Sequence, residues 1–177
     1  SRADVLAAGA SYPAITVTVN VAANASSPQV NSVAVSGGGS VAASATDSTV
    51  INANPAVLSI AKSHVGNFSQ GQYGATYSVL VSNGAAAGAT TGTVTVTETL
   101  PTGLSLVSMA GTGWTCSLNT CSRADVLAAG TSYPAITVTV NVAANASSPQ
   151  VNAVAVSGGG SAAASATDST VVNAKPA

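Results

Sequence analysis

Three polar side chains share the hydrophobic faces of predicted strands. Period-two alternation places Lys62 on the face of Leu58 and Ile60, and it places Glu98 and Asn152 on the apolar faces of two later strands. An amine removed from water among aliphatic side chains has a lowered pKa and can act as a nucleophile. A carboxyl in the same surroundings can stay protonated and polarise a neighbouring amide. These residues therefore combine a nucleophile, an acid and an amide.

These three residues are expected to meet in the core, because a buried and unpaired charge costs several kcal/mol. One alternative is a hydrogen-bonded Lys62–Glu98 pair with Asn152 beside it. Another is a β-bulge that shifts the alternation and leaves all three in water. His64, on the same face as Lys62, is expected to be a hydrogen-bonded structural histidine.

The chain contains a long internal repeat. Residues 1–56 return as residues 122–177 with five differences, at an offset of 121 positions. A unit of that length is the size of a whole domain rather than a solenoid turn. We expect residues 57–177 to be one complete repeat and residues 1–56 to be the C-terminal half of a preceding one. The chain would then be a window from a longer polymer, and Asn31 would be the counterpart of Asn152.

Composition restricts the partners. Charged residues make up 5% of the chain, against an ordinary share of about 25%. Four scattered cations cannot form the basic patch that a nucleic-acid partner requires. No apolar run approaches the length of about 20 residues that crosses a bilayer. The sequence also indicates no cofactor and no metal site.

The two cysteines, Cys116 and Cys121, flank a short predicted hairpin next to Trp114. A disulfide there would contribute roughly 2 kcal/mol in the loop-entropy model. Two free thiols or half of a metal site are the other interpretations of the pair. We favour the disulfide, which predicts an oxidising, extracellular compartment.

Strand signals recur throughout the complete repeat. Alternating β-branched segments, separated by turn-forming Gly, Pro, Asn and Ser, lie at 57–65, 76–83, 91–100, 104–109, 134–143, 151–158 and, more weakly, 165–173. Only residues 124–130 could form a helical turn. Seven short strands without a long helix predict an antiparallel immunoglobulin-like β-sandwich. Trp114 and Tyr77 are its predicted large core residues.

Several runs carry a family resemblance, among them KSHVGNFSQGQYGATYSVLVSN, VTVTETLPTGLSL, GTGWTC and VNAVAVSGGG. They resemble the immunoglobulin-like repeat catalogued as domain of unknown function number eleven. The resemblance covers 57–177, and its second half covers 1–56. It implies a large bacterial or archaeal surface or secreted protein with many tandem copies.

The resemblance extends to fimbrial and adhesin domains that form a spontaneous Lys–Asn isopeptide bond with the help of an acidic residue. In that pattern the lysine is in the first strand, the acid precedes Leu-Pro, and the asparagine is in a late strand. Lys62, Glu98 and Asn152 match those places, although the family more usually has aspartate at the position of Glu98.

Two function classes follow. The first is a structural, non-catalytic segment of an extracellular filament, stalk or adhesin whose repeats contact one another head-to-tail. The second is a carbohydrate- or surface-binding module, for which Tyr12 and Tyr133 would supply the aromatic platform. We favour the first, because the copies are nearly identical and no catalytic constellation is evident.

Overall fold

The computed structural model describes residues 1–22 and 25–175, and its regular structure is all β. The last two residues of the predicted repeat lie outside the described part. The described residues form thirteen strands: β1 Gln29–Gly37, β2 Ser40–Thr49, β3 Leu58–His64, β4 Phe68–Ser69, β5 Ala75–Asn83, β6 Val94–Thr99, β7 Leu104–Ala110, β8 Thr115–Ser117, β9 Thr120–Arg123, β10 Ile136–Val142, β11 Gln150–Gly158, β12 Ser161–Thr170 and β13 Val172–Asn173.

Strands β3 to β13 form an antiparallel sandwich of the predicted immunoglobulin-like class. One sheet has the order β3-β5-β10-β7, and the facing sheet has the order β12-β11-β6-β9-β8. A short parallel pair, β13 with β4, ties the end of the repeat back to its beginning. Residues 124–130, where the sequence allowed a helical turn, form a loop instead.

The core is filled mainly by valine, as the low aromatic content requires. In β5 every second residue is buried, which is the alternation expected of a sheet with one covered face. Tyr77 and Trp114 are core residues as predicted, whereas the burial of Phe68 and Tyr133 was not foreseen. Narrow β-branched side chains from both sheets interdigitate between these few aromatic rings.

The weak strand predicted at 165–173 is two strands. Strand β12 ends at Thr170, and β13 begins at Val172 and pairs with β4 rather than with β11. The turn before β12 is a hairpin turn built from three consecutive glycines. Gly158 in it has a φ of 90°, and a Cβ there would overlap the carbonyl oxygen of Thr93, so only glycine fits.

Residues 1–56 do not form a sandwich. Strands β1 and β2 pair only with each other, and Val33 and Val35 are 64% and 68% exposed. Their counterparts Val154 and Val156 are 2% and 0% exposed. The same hairpin is therefore core-forming in one half of the chain and uncovered in the other.

Deleting residues 1–50 should change the free energy of unfolding of the remaining sandwich by less than about 1 kcal/mol, since surface segments contribute little. Deleting residues 122–177, nearly the same sequence, should abolish the cooperative transition because it removes half of the core. Chemical denaturation followed by Trp114 fluorescence measures both. A loss of several kcal/mol on deleting residues 1–50 would contradict this division of the chain.

Candidate functional site

A buried ion pair bridges the two sheets. Nζ of Lys62, on β3, donates to Oε1 of Glu98, on β6, over 2.5 Å. Both side chains have no solvent-exposed area. The alternation predicted from the sequence thus holds at both positions, and the alternative of a bulge that leaves them in water is wrong.

The surroundings of Lys62 act on its pKa in opposite directions, and burial is the largest influence. Burial lowers the pKa of Lys62, and the hydrogen bond and the negative charge of Glu98 oppose that shift. Nζ also lies 4.7 Å from the centre of the Tyr77 ring, a cation–π distance. The Tyr77 hydroxyl is 2.9 Å from Oγ1 of Thr170, and burial raises the pKa of Tyr77.

Asn152 lies in the same part of the core. Its neighbour on the same face, Val154, pairs with Glu98 across β11 and β6. Asn152 is therefore the diagonal neighbour of Glu98, and residues so related are about 7–8 Å apart, with their Cβ atoms somewhat closer. It is fully buried, and neither its amide nitrogen nor its amide oxygen has a hydrogen-bond partner.

Oε2 of Glu98 is likewise buried without a partner. Each such group costs about 1–3 kcal/mol, and folded proteins contain few of them. Here they gather beside an amine whose pKa is lowered. The arrangement can therefore supply a nucleophile, a carboxyl and an amide, and the Tyr77 hydroxyl lies close enough to Asn152 for the amide to act on the pKa of Tyr77.

His64 and Asp168 form a second polar contact between the sheets. Nδ1 of His64 lies 2.6 Å from Oδ2 of Asp168, and the imidazole packs edge-on against Phe68 and Tyr77. The structural role expected for His64 is present. Asp168, which looks isolated in the sequence, was missed as its partner because the two residues come from edge strands of different sheets.

Asn31 occupies in β1 the place that Asn152 occupies in β11. It pairs with Asp47, as Asn152 pairs with Asp168, and it is exposed on the uncovered hairpin. We predict that the counterpart of Lys62 in the front half of another repeat faces Asn31.

The cysteines form the predicted disulfide. Cys116 and Cys121 are directly opposite each other on β8 and β9, with their Cα atoms 4.0 Å apart. Trp114, just before this hairpin, donates from Nε1 to the carbonyl oxygen of Pro134 over 2.8 Å. The disulfide thus closes a hairpin that the tryptophan connects to the facing sheet.

Tyr133 does not form an aromatic platform. It is 3% exposed, the guanidinium of Arg123 lies 4.0 Å from its ring centre, and its hydroxyl donates to the carbonyl oxygen of Asp125 over 2.6 Å. Tyr12 is 41% exposed, and Tyr73, in another loop, is 84% exposed. The aromatic pair suggested for a binding module is therefore not available as a surface.

Other classes of site receive no support from the described residues. Within 1–22 and 25–175 there is no cluster of three or more His, Cys, Asp or Glu side chains suited to a metal ion. No helix in that part of the chain is long and apolar enough to cross a membrane.

Comparison with known proteins identifies no family. No family model and no curated protein matches the sequence. One similar solved structure is a conjugative transposon lipoprotein from Bacteroides eggerthii DSM 20697, with 11% identity and a TM-score of 0.33 over 66% of this chain and 96% of that one. Another is the sixth cohesin of scaffoldin B from Acetivibrio cellulolyticus, in complex with a mutant Cel5 dockerin. Its identity is 17% and its TM-score 0.34, over 68% of this chain and 99% of that one. Likenesses this low carry no argument about function.

Replacing both cysteines with serine should lower the free energy of unfolding by roughly 2 kcal/mol, because a short loop in the unfolded chain is no longer closed. Chemical denaturation measures the loss, and thiol labelling of the unreduced, denatured wild type gives the redox state. Quantitative labelling of both cysteines would contradict the disulfide.

The cost of leaving Lys62 alone in the core can be isolated with two variants. Glu98→Ala leaves a buried amine without its partner, whereas the double variant Lys62→Met/Glu98→Leu removes both charges and keeps the volume. We expect Glu98→Ala to be about 3–5 kcal/mol less stable than the double variant. Equal stabilities in chemical denaturation would show that the pair is not buried in solution.

Proposed function

We propose that this chain is a structural, non-catalytic segment of an extracellular array of immunoglobulin-like repeats, such as a filament, stalk or adhesin. The disulfide supports an oxidising location. The resemblance of the sequence to the tandem immunoglobulin-like repeat also supports the proposal. The observation that carries it is that the chain enters and leaves the described sandwich at opposite ends.

The two ends are defined by contacts of the chain. At the N-pole, the loop 83–90, Val57 is hydrogen-bonded to Asn83 and Gly84. At the C-pole, the turn 69–74, Asn173 pairs with Ser69. Strand β5 connects the two poles, and its nine residues span about 27 Å. Successive repeats joined in this way extend in one direction.

Residues 1–56 cannot combine with residues 57–121 of the same chain to form a sandwich. The backbone nitrogen of Lys175 donates to Gln70 at the C-pole, so its counterpart Asn54 would have to lie there as well. Instead, the Asn54 side chain donates to the carbonyl oxygen of Ala86 at the N-pole over 2.5 Å. One residue cannot reach both poles of one sandwich, because a residue spans at most about 3.6 Å.

The front half that covers residues 1–56 must therefore come from another segment, either the preceding repeat of the array or a second copy of the chain. In either case the contact is head-to-tail. Such a contact does not close on itself, and it builds an open array rather than a compact dimer.

Within each repeat, we propose that Lys62 and Asn152 form an isopeptide bond. The neutral amine of Lys62 attacks Cγ of Asn152 while the carboxyl of Glu98 polarises the amide oxygen. The new bond joins Nζ to Cγ, the bond from Cγ to Nδ2 breaks, and a proton from Nζ leaves with the amide nitrogen as ammonia. No oxidant or cofactor is required.

Mass spectrometry of the intact protein tests this bond. The product should be about 17 Da lighter than the sequence mass, after correction for the disulfide, because ammonia is lost. Glu98→Ala should restore the full mass, and Asn31→Ala should leave the mass loss at the Lys62–Asn152 site unchanged.

An unmodified wild-type mass in folded protein would rule out the bond and leave a noncovalent Lys62–Glu98 pair. A branched peptide that contains Lys62 and Asn152, recovered after proteolysis, would locate the bond at these two residues. A mass loss that persists in Asn152→Ala would assign the reaction to a different residue.

A further inference from the structure

Tyr73 is a large aromatic side chain on an otherwise well-fixed turn. It lies in the C-pole turn and is 84% exposed. Ser69 donates its backbone N–H to Oε1 of Gln72 over 2.8 Å, and Gly74 donates to Oδ1 of Asn141 over 3.0 Å. The backbone on both sides of Tyr73 is thus held, so the exposure of the ring does not arise from a loose loop.

The N-pole offers an uncharged surface made of small residues. Its loop runs Asn83-Gly-Ala-Ala-Ala-Gly-Ala-Thr90, and Ala85, Ala86 and Ala89 in it are exposed. Asn83 fixes the loop by donating to the carbonyl oxygens of Gly88 and Leu127. Small apolar side chains on a fixed backbone are suited to the face of an aromatic ring.

The linker between repeats is short and docked. Asn54 donates to Ala86, and the carbonyl oxygen of Pro55 accepts from Gly88 over 2.9 Å. A Cβ at Gly88 would overlap the carbonyl oxygen of Asn54, so glycine permits this close approach. The linker therefore lies directly against the N-pole of the repeat that it enters.

The counterparts of these linker residues at the end of the repeat contact its C-pole. By the near-identity of the two halves, Asn52 takes the place of Asn173 beside Ser69, and the backbone of Asn54 takes the place of Lys175 beside Gln70. Asn54 then contacts the C-pole of one repeat and the N-pole of the next, so the two repeats must lie directly against each other.

We infer that Tyr73 of each repeat packs on the exposed alanines of the N-pole of the following repeat. This inference rests on the proposed function, because it takes residues 57–177 as the unit of an array. It makes the junction a defined interface rather than a flexible linker. Successive sandwiches are then held in a fixed orientation.

The test uses a two-repeat protein made of residues 57–177 twice, with Lys175→Asn in the first copy to reproduce the linker sequence of 52–57. Residues 57–177 contain the complete sandwich core. Their tyrosines are Tyr73, Tyr77 and Tyr133, and the last two are 1% and 3% exposed. Nitration with tetranitromethane therefore reports on Tyr73, with the two buried tyrosines as internal controls.

Two matched variants separate the junction from the free end. With Tyr73→Phe in the second copy, the remaining Tyr73 is at the junction and should be nitrated about tenfold or more slowly than in a single repeat, because it reacts only when the contact opens. With Tyr73→Phe in the first copy, the remaining Tyr73 is at the free C-pole and should react at the single-repeat rate.

Equal, fast nitration in both variants would overturn the contact. Small-angle X-ray scattering then shows whether only the tyrosine contact is wrong or whether the proposed array is wrong as well. A particle with the length of two collinear sandwiches would leave the array standing and remove only the tyrosine contact. A compact particle with the repeats side by side would overturn both.

Discussion

The buried pair of Lys62 and Glu98 restricts how the two sheets of the sandwich can align. A core of valine and alanine has little shape of its own, because many alignments of two such sheets bury similar areas. A buried lysine and a buried glutamate tolerate only alignments in which the two side chains meet, since either one alone costs several kcal/mol. We interpret the pair, which joins β3 to β6 over 2.5 Å, as the contact that selects one alignment of the sheets.

The two copies of the repeated hairpin separate what is encoded locally from what depends on context. In β1–β2, Val33 pairs with Ala45, and in β11–β12 the counterparts Val154 and Ala166 pair in the same way. The alternation and the glycine turn are therefore sufficient to set the pairing of the strands. Burial is not encoded locally, because it requires β3 and β6 from a front half, and the front half described here covers β11 and β12 rather than β1 and β2.

The same distinction explains which features could be predicted from the sequence. Strand positions and the inward faces of Lys62, Glu98 and Asn152 follow from period-two alternation, which is a local signal. The contact of His64 with Asp168 does not, because it depends on how the edges of two sheets approach each other. Nor does the burial of Tyr133, since the Arg123 guanidinium that covers it comes from β9, which is not in the same sheet as β10, the strand that follows Tyr133.

In the proposed array, the two crosslinks have different mechanical roles. Tension enters a repeat at Val57 and leaves after Asn173, at opposite poles of the sandwich. A bond between Lys62 and Asn152 would carry that tension directly from β3 to β11, so residues 63–151 would lie outside the loaded path. The disulfide of Cys116 and Cys121 falls within this shielded part, where it stabilises the fold against unfolding but bears no load. Only the short segments 57–62 and 152–175 would then remain under tension, and the second of these ends in the linker that docks on the next repeat.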